Sequence, residues 1–340
     1  MTNKVNIAIV GATGAVGETL ISVLEERHFP VGELYPLASE RSVGETITFQ
    51  GQEIDVQNVE NFNFSDADIA FFSAGSAVSE KFAPIAAAAR CLVIDNTSFF
   101  RYDEDIPLVV PEVNPHRIAD YTNRWIIANP NCSTIQMVVA LKPLYDAVGI
   151  SRINVVTYQA VSGTGKNAIT ELVEQTTQLL NGIPAEPKVY PQQIAFNVLP
   201  HIDEFQENGY TREEMKMVWE TRKILEDESI QVNPTAVRVP VLYGHSEAIH
   251  VELNAPLTDV EARALLSKAP GVCVVDNPKK NIYPTPISHA AGYDEVFVGR
   301  IRQDISHPSG LDLWVVADNI RKGAASNAIQ IAEIFLRDYN

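Results

Sequence analysis

The chain has 340 residues, of which 46% are apolar and 20% charged, as in ordinary globular proteins large enough for two domains. Its 26 Lys and Arg residues against 43 Asp and Glu residues give a formal charge of −17, which argues against a nucleic-acid partner and against docking on anionic lipid. We predict no signal peptide, because residues 1–4 lead directly into a strand pattern, and no apolar run is long enough to span a bilayer.

The first 130 residues alternate short apolar runs with amphipathic or Ala-rich segments, which predicts a parallel sheet with helices on both faces. We expect strands at 5–10, 34–38, 68–72, 92–94 and 125–128, and helices at 18–26 and 79–89. The fold class is therefore α/β, with a Rossmann-type dinucleotide-binding domain over residues 1–130.

The later part of the chain has strands with partial alternation, more typical of an antiparallel sheet. We expect a second, α+β domain over residues 131–321, with a largely antiparallel sheet, and we interpret the Pro-rich stretch 184–200 as a long surface loop. The predicted strands are 152–161, 236–241, 247–254, 297–303 and 311–318, and the predicted helices are 166–180, 211–226 and 322–336.

The segment GATGAVG, Gly11 to Gly17, follows the first strand and opens the first helix. Glycines allow a tight turn and close approach of the backbone to a pyrophosphate, which the N-terminus of a helix attracts. The pattern is a variant of the dinucleotide fingerprint, and the alternative is a plain strand-to-helix turn.

The cofactor is indicated by Ser39-Glu-Arg-Ser42 after the second strand. Glu40 suits the ribose of NAD, whereas Arg41 between two serines suits the 2′-phosphate of NADP. We favour NADP, because an Arg and two hydroxyls form a complete anion site; the alternative is a solvated loop.

Cysteines number three, Cys91, Cys132 and Cys273, an odd count without metal-ligand spacing. We therefore expect no disulfide framework, no metal, and a cytoplasmic protein with reduced thiols. Cys91 and Cys273 lie within predicted apolar strands and are interpreted as structural.

Cys132 differs, because NPNCSTI places it where a helix begins, and the partial positive charge there lowers the pKa of a thiol. Asn131 or Ser133 could cap that helix.

A thiolate beside a nicotinamide suggests oxidation of an aldehyde or the reverse reaction, with a thioester intermediate. The hydroxyl of the hemithioacetal then needs an acid/base, for which histidine is the natural choice. His245, in GHSE, follows a glycine and precedes a predicted strand.

Several motifs together resemble the aspartate-β-semialdehyde dehydrogenase family. They occur in the order of that family, from the first strand to the final helix. They are GATGAVG, SFFR (98–101), NPNCST (129–134), YQAVSGTG (158–165), EEMK (213–216) and RVPVLYGHSE (238–247).

The resemblance implies a role for each matching residue. Cys132 is expected to be the acyl-thioester nucleophile, His245 the acid/base, and Gln159 the residue that orients the acyl intermediate. Substrate is expected to be bound by Arg238 (α-carboxylate), Glu213 (α-ammonium), and Arg101 and Lys216 (phosphate). The NADP site is expected to include Gly11, Thr13, Gly14, Ala15, Val16, Arg41, Ser42, Ser162, Gly163 and Asn319.

The residues alone support only part of this assignment. Arg238 lies in an apolar strand, where it needs a ligand or a buried partner. Glu213 and Lys216 share a helix face, but without the family a surface ion pair is the simpler interpretation. Arg101 alone is an ordinary loop residue, and Asn319 could equally cap a helix.

The resemblance also implies the reaction and the assembly. The expected activity is NADPH-dependent, reversible conversion of L-aspartyl 4-phosphate to L-aspartate 4-semialdehyde and phosphate, in lysine, threonine, methionine and diaminopimelate biosynthesis. The family forms homodimers through the second domain, and by analogy the last helix, within 322–340, returns to the first domain.

Three alternatives remain open at this point. N-acetyl-γ-glutamyl-phosphate reductase has the same chemistry, but its substrate lacks the ammonium that Glu213 would bind. Glyceraldehyde-phosphate dehydrogenase would show a different cysteine segment. A non-catalytic dinucleotide-sensing protein would not need Cys132, Gln159, Arg238 and His245 together.

Overall fold

The computed structural model describes residues 4–339. Residues 1–3 and 340, which belong to the predicted segments 1–130 and 322–340, lie outside the described residues. Two compact units are present: the described residues of the first run to Asn131 and resume at Ala324, and the second is Cys132–Gly323. Within residues 4–339, every helix is too short or too polar to cross a membrane.

The elements follow in chain order. The first part of the chain has β1 Val5–Val10, α1 Ala15–Glu26, β2 Val31–Ala38, β3 Thr46–Phe49, β4 Gln52–Asp55, β5 Gln57–Asn58, β6 Ile69–Phe72, α2 Ser76–Ala88, β7 Leu92–Asp95 and β8 Ile126–Ala128. The second unit has α3 Cys132–Val148, β9 Ile150–Gln159, α4 Lys166–Leu180, α5 Arg212–Leu225, β10 Gln231–Arg238, β11 His245–Leu253, α6 Asp259–Leu266, β12 Val272–Val274, β13 Val296–Gln303 and β14 Gly310–Ala317. A π-helical turn at Arg321–Ala325 leads to α7 Ser326–Asp338.

The main sheet of the first unit has the strand order β5-β2-β1-β6-β7-β8, and its pairings are parallel. Its central strands are buried apolar runs, as parallel strands covered on both faces require. Helices α1 and α7 pack together, and Arg27 of α1 forms a bidentate ion pair with Glu333 of α7 (2.8 and 2.6 Å). The C-terminal helix is therefore part of this unit.

The sheet of the second unit has the order β10-β9-β11-β14-β13-β12. The pairings of β9, β11, β14 and β13 are antiparallel, while β10–β9 and β12–β13 are parallel. Helix α3 packs against β9, β11, β13 and β14, so one face of the sheet is covered by the helix that starts with Cys132. The predicted fold class, a Rossmann-type domain followed by an α+β domain, is confirmed.

The Pro-rich segment 184–200 is a loop, as predicted, and most of its residues are exposed. Helix α4 holds it through side chains that bind its backbone: Glu171 accepts from the N–H groups of Lys188 and Val189, and Gln175 Oε1 accepts from those of Ile194 (3.0 Å) and Ala195 (3.1 Å). The prediction of a long surface loop is therefore confirmed, although four of its side chains are buried. Its buried side chains are those of Tyr190, Ile194, Ala195 and Leu199, which pack with Val161, Ala168 and Leu172.

Some boundaries also differ from the predictions. Strand β10 ends at Arg238 instead of running to residue 241, and it begins at Gln231, because an edge strand tolerates Pro234. Helix α6 and the β3–β4 hairpin were missed, although Thr258 and Glu261 form a capping box at the start of α6. Cys91 directly precedes β7, where burial raises the pKa of its thiol to about 12, and Cys273 in β12 is only half-buried.

The hydrogen bonds from segment 184–200 to Gln175 give a testable prediction. Gln175→Leu leaves two buried backbone N–H groups without their acceptor, and each such group costs about 1–3 kcal/mol. We expect a lower free energy of unfolding in urea and faster hydrogen exchange at the amides of Ile194 and Ala195. Glu174→Gln is the matched control, because it removes only an exposed ion pair with Lys188. Equal unfolding free energies and equal exchange rates in the two variants would contradict the role of Gln175 in holding the segment.

Candidate active site

The glycine loop forms a tight connection between β1 and α1. Gly11 has φ +94°, and a Cβ there would lie 3.0 Å from the Ala74 backbone nitrogen, so only glycine fits. A Cβ on Gly17 would lie 2.2 Å from the carbonyl oxygen of Gly11. Gly14 is the N-cap of α1 and supplies no side-chain cap, which leaves the first N–H groups of the helix available to an anion. Ala15 and Val16 form that first turn. The loop therefore fits a pyrophosphate.

The segment after β2 meets this loop. The hydroxyl groups of Ser42 and Thr13 lie 3.3 Å apart, so two segments predicted to bind the cofactor are in contact. Glu40 instead accepts a hydrogen bond from the Asn58 side chain, while Arg41 is exposed.

Arg101 belongs to the first unit, whereas the other residues predicted to bind substrate belong to the second. Its side chain is 6% exposed, and Nη2 donates to the carbonyl oxygen of Asn96 (2.8 Å). Burial raises the pKa of the nearby Asp95 carboxyl, and hydrogen bonds from Thr97 and Ser79 together with the charge of Arg101 oppose that rise.

Cys132 is the first residue of α3 and is half-buried. The turn before it is anchored in the first unit, because Asn327 Nδ2 donates to Asn129 Oδ1 (2.6 Å) and to the carbonyl oxygen of Val109 (3.1 Å). In the second unit, a Cβ on Gly323 would lie 2.7 Å from Cys132 Cβ, so the backbone of Cys132 is closely packed.

His245 and Arg238 are both held by the peptide groups of Ala160. His245 Nδ1 accepts from the Ala160 N–H (3.0 Å), which puts the proton of the neutral imidazole on Nε2. Arg238 Nη1 donates to the Ala160 carbonyl oxygen (2.7 Å). A Cβ on Gly163 would lie 3.2 Å from Arg238 Nη1 and 3.4 Å from His245 Nε2, so this backbone packs over both side chains.

His245 is fully buried, and its Nε2 has no hydrogen-bond partner among the described residues. Burial lowers the pKa of His245 to about 3, the charge of Arg238 lowers it further, and Glu213 acts in the opposite direction. The imidazole is therefore neutral near pH 7 and presents one N–H donor.

Glu213, on α5, lies at the centre of a set of hydrogen-bonded polar side chains. Gln159 Nε2 donates to Glu213 Oε1 (3.2 Å) and to Thr157 Oγ1 (3.3 Å). Lys216 Nζ donates to Glu213 Oε2 (2.9 Å) and to Asp203 Oδ2 (2.7 Å). Burial lowers the pKa of Lys216, but the two carboxylates raise it by more, so this lysine is charged. The side chains of Glu213 and Lys216 are only 7% and 12% exposed, so this is not a surface pair.

Ser162 and Asn319 join the His245 region. Asn319, just after β14, exchanges hydrogen bonds with the Ser162 hydroxyl (3.2 and 3.0 Å), and its Oδ1 accepts from the N–H of Gly244 (2.9 Å). The structure thus brings two residues predicted to bind the cofactor together with the peptide that precedes His245.

Sequence reasoning missed Tyr190, Gly323 and Ala160. The Tyr190 ring lies 5.9 Å from the Arg238 guanidinium, and its hydroxyl donates to Thr164 Oγ1 (3.2 Å). An aromatic residue in a Pro-rich stretch is a weak signal of packing. No motif marks Gly323, and Ala160 acts through its backbone alone.

Comparison with known proteins covers nearly the whole chain. The family model of the semialdehyde dehydrogenase NAD binding domain matches residues 6–121, and that of the semialdehyde dehydrogenase dimerisation domain matches residues 141–322. Aspartate-semialdehyde dehydrogenase of Legionella pneumophila is 71% identical and spans 100% of this chain and 98% of the relative. The Bacillus subtilis protein of the same name is 49% identical, over 98% of each chain.

Solved structures give the same picture. Aspartate semialdehyde dehydrogenase II from Vibrio cholerae, complexed with ASA, has a TM-score of 0.98 at 62% identity and covers 99% of this chain and 100% of its own. Aspartate semialdehyde dehydrogenase with NADP from Candida albicans has a TM-score of 0.78 at 27% identity, over 98% of each chain.

The buried imidazole predicts a pH dependence of stability. A histidine in the unfolded chain has a pKa near 6.5, whereas that of His245 is about 3 in the fold. Between these values only the unfolded chain binds the proton, so stability falls as the pH falls below about 6.5, by up to about 1.4 kcal/mol per pH unit. Urea unfolding at pH 7, 6 and 5 should show a smaller pH slope for His245→Asn than for the wild type. His28→Asn, at an exposed histidine, should keep the wild-type slope, and equal slopes in all three proteins would contradict the assignment.

Proposed function

Because the chain belongs to the aspartate-semialdehyde dehydrogenase family, we propose that it converts L-aspartyl 4-phosphate and NADPH to L-aspartate 4-semialdehyde, phosphate and NADP, reversibly. The chain is an oxidoreductase of that family with a nicotinamide-nucleotide-binding domain. The proposal rests above all on the buried, neutral His245, whose Nε2 is unpartnered and lies beside the backbone of Gly163 and the guanidinium of Arg238.

Cys132 is the proposed nucleophile. Its thiolate, favoured by the start of α3, attacks the carbonyl carbon of the acyl phosphate. The new S–C bond forms as the C–O bond to phosphate breaks, which releases phosphate and leaves a thioester on the cysteine.

His245 is the proposed acid/base. When bound, NADPH supplies the hydride that reduces the thioester carbonyl carbon. The Nε2–H of His245 then donates a hydrogen bond to the oxyanion of the resulting hemithioacetal and stabilises its charge, and the hydrogen bond from Ala160 to Nδ1 keeps the ring in the tautomer that can do so. Collapse of this oxyanion to the aldehyde breaks the C–S bond and regenerates the Cys132 thiolate, while the imidazole stays neutral.

Recognition of the amino-acid end is assigned to Arg238 and Glu213. A buried guanidinium suits the α-carboxylate, because it can form two parallel hydrogen bonds, and Arg238 Nε has no partner among the described residues. Glu213 faces the α-ammonium, and Gln159, bonded to Glu213, orients the acyl group. An N-acetylated substrate has no ammonium for Glu213 to bind, which argues against N-acetyl-γ-glutamyl-phosphate reductase.

Phosphate binding is assigned to Lys216 and Arg101. Lys216 is charged and mostly buried, and the pairs that it forms with Glu213 and Asp203 hold its ammonium in a fixed place. Arg101 is likewise buried, and the main-chain oxygen of Asn96 orients one of its nitrogens.

NADP is the proposed cofactor. The start of α1 has no side-chain cap, so it suits the pyrophosphate. The contact of Ser42 with Thr13 places the segment that contains Arg41 beside the glycine loop. The carboxylate of Glu40 is engaged by Asn58, so it is less suited to a ribose. The Candida albicans relative was solved with NADP. Ser162, Gly163 and Asn319 are assigned to the same cofactor.

Assembly and location complete the proposal. The second unit includes the matched dimerisation domain, so we assign it the contact of a homodimer. We place the enzyme in the cytoplasm, where its product feeds lysine, threonine, methionine and diaminopimelate synthesis.

The first prediction on function concerns Cys132. With aspartate semialdehyde, phosphate and NADP, the wild type should form NADPH in a phosphate-dependent reaction, read as absorbance. Cys132→Ala should lower kcat by at least about 10³-fold, because the thioester can no longer form. Cys273→Ala, which removes a half-buried thiol elsewhere, is the control and should remain active.

Two outcomes would redirect the proposal. Turnover of N-acetylglutamate semialdehyde but not of aspartate semialdehyde would mean that Glu213 and Arg238 are wrongly assigned. NADP binding without turnover of either substrate would favour a dinucleotide-sensing protein.

The second prediction on function concerns Arg41. If its guanidinium binds the 2′-phosphate, Arg41→Ala should raise KM for NADP by about 10-fold or more and leave KM for NAD unchanged, since a charged hydrogen bond is lost. Glu40→Gln is the matched variant on the same turn and should change neither value. A rise in KM for NAD with Glu40→Gln would instead identify NAD as the natural cofactor.

A further inference from the structure

Glu247 is a carboxyl group in the core of the second unit that the mechanism above does not use. Its side chain is 0% exposed, and neither carboxyl oxygen has a hydrogen-bond partner among the described residues. Glutamate almost never occupies such a position unless it is paired, because an isolated buried charge is so unfavourable that the group takes up a proton instead. Burial accordingly raises the pKa of Glu247 well above its ordinary value, so the side chain is a neutral carboxylic acid.

The neighbour of this acid is the Gln136 side chain of α3. It is 1% exposed, and neither of its amide atoms has a hydrogen-bond partner of normal geometry. Gln136 is also the group that opposes the rise in the pKa of Glu247, so the amide and the carboxyl lie close together. The two are chemically complementary: the acid O–H can donate to the amide oxygen, and the amide N–H can donate to the acid carbonyl.

Both residues lie on the elements that carry the reacting groups. Gln136 follows Cys132 by four residues on α3, which puts the two side chains on one face of the helix, about 6 Å apart along its axis. Glu247 follows His245 by two residues on β11, so these two side chains share one face of the strand. Helix α3 packs against β11, and the two polar side chains therefore lie at the contact between the elements.

Glu247 has two neighbours across the sheet, the apolar Val315 on β14 and the polar Thr157 on β9, and both are buried. Replacement of buried polar pairs by well-packed apolar residues is commonly neutral or stabilising, whereas a half-satisfied polar pair is costly. A different role has to explain two polar side chains at this place.

We propose that Glu247 and Gln136 form a buried acid–amide contact that sets the Cys132 end of α3 against the His245 end of β11, so that both act as positioning residues. The inference rests on the proposed roles of Cys132 and His245. A hydrogen-bonded pair has a defined direction and length, which an apolar contact lacks, and the reaction is sensitive to small displacements of the sulfur relative to the acid/base.

The test compares the double variant Glu247→Leu/Gln136→Leu with Glu247→Gln. We expect the double variant to have a melting temperature equal to or above that of the wild type, an unchanged KM for aspartate semialdehyde, and a kcat lowered by about 10-fold or more. The rate at which iodoacetamide alkylates Cys132, followed by peptide mass spectrometry, should change in parallel with kcat. The single variant Glu247→Gln should keep most of the wild-type kcat, because two amides can make the same pair of hydrogen bonds. Asp146→Asn, at an exposed carboxylate of α3, is the control.

Several results would overturn the inference. A wild-type kcat in the double variant, measured beside an inactive Cys132→Ala, would reject the positioning role while the proposed function stands; an active Cys132→Ala would reject the proposed function itself. A melting temperature that falls together with kcat would indicate an ordinary structural role, and a Glu247→Gln variant as slow as the double variant would exclude the acid–amide contact. If the double variant does not fold, Gln136→Met decides, because a wild-type kcat in that variant would also overturn the proposal.

Discussion

The two peptide groups of Ala160 hold both the proposed acid/base, His245, and the proposed substrate-binding arginine, Arg238. The N–H binds His245, and the carbonyl oxygen binds Arg238. Ala160 follows β9 directly, and β9 lies between β10, which ends with Arg238, and β11, which begins with His245. Gln159 lies opposite Arg238 in the parallel pairing, and Tyr158 lies opposite Ser246 in the antiparallel one. Because a slip of one residue turns every side chain to the other face, the register of both pairings has to be kept for the site to exist.

The electrostatics of the site follow from its burial. The chain as a whole is strongly acidic, yet Arg238 and Lys216 are concentrated near Glu213 in the interior of one unit. Each of these charges has a partner or a hydrogen-bonding backbone group, and His245, which has no charged partner in direct contact, is neutral. The proposed anionic substrate would therefore meet fixed positive groups in a region of low dielectric, where their attraction is stronger than in water.

Local patterns in the sequence predicted the turns, strands and helix starts that are determined by residues close together in the chain. GATGAVG predicted the turn that Gly11 and Gly17 require, the apolar runs predicted the central parallel strands, and NPNC predicted a helix that starts at Cys132. Features that depend on distant backbone contacts could not be predicted. Ala160 carries no signal in its side chain, and strand β10 was misplaced because only its position at the sheet edge explains Pro234. The anchoring of segment 184–200 was not predicted for the same reason: it depends on Glu171 and Gln175, which lie elsewhere in the chain.

That segment has a further consequence for how the enzyme can change. Helix α4 holds it by its main chain, Leu199 pairs with the backbone of Arg238 (2.9 and 2.8 Å), and four buried side chains anchor it, so its course does not depend on the side chains that it exposes. One of those side chains is Tyr190, whose ring lies against the Arg238 guanidinium. The exposed residues of this segment can therefore be exchanged in a mutant library while its buried side chains are kept, which makes the exposed positions around Tyr190 a practical starting point for changing the surroundings of Arg238 by directed evolution.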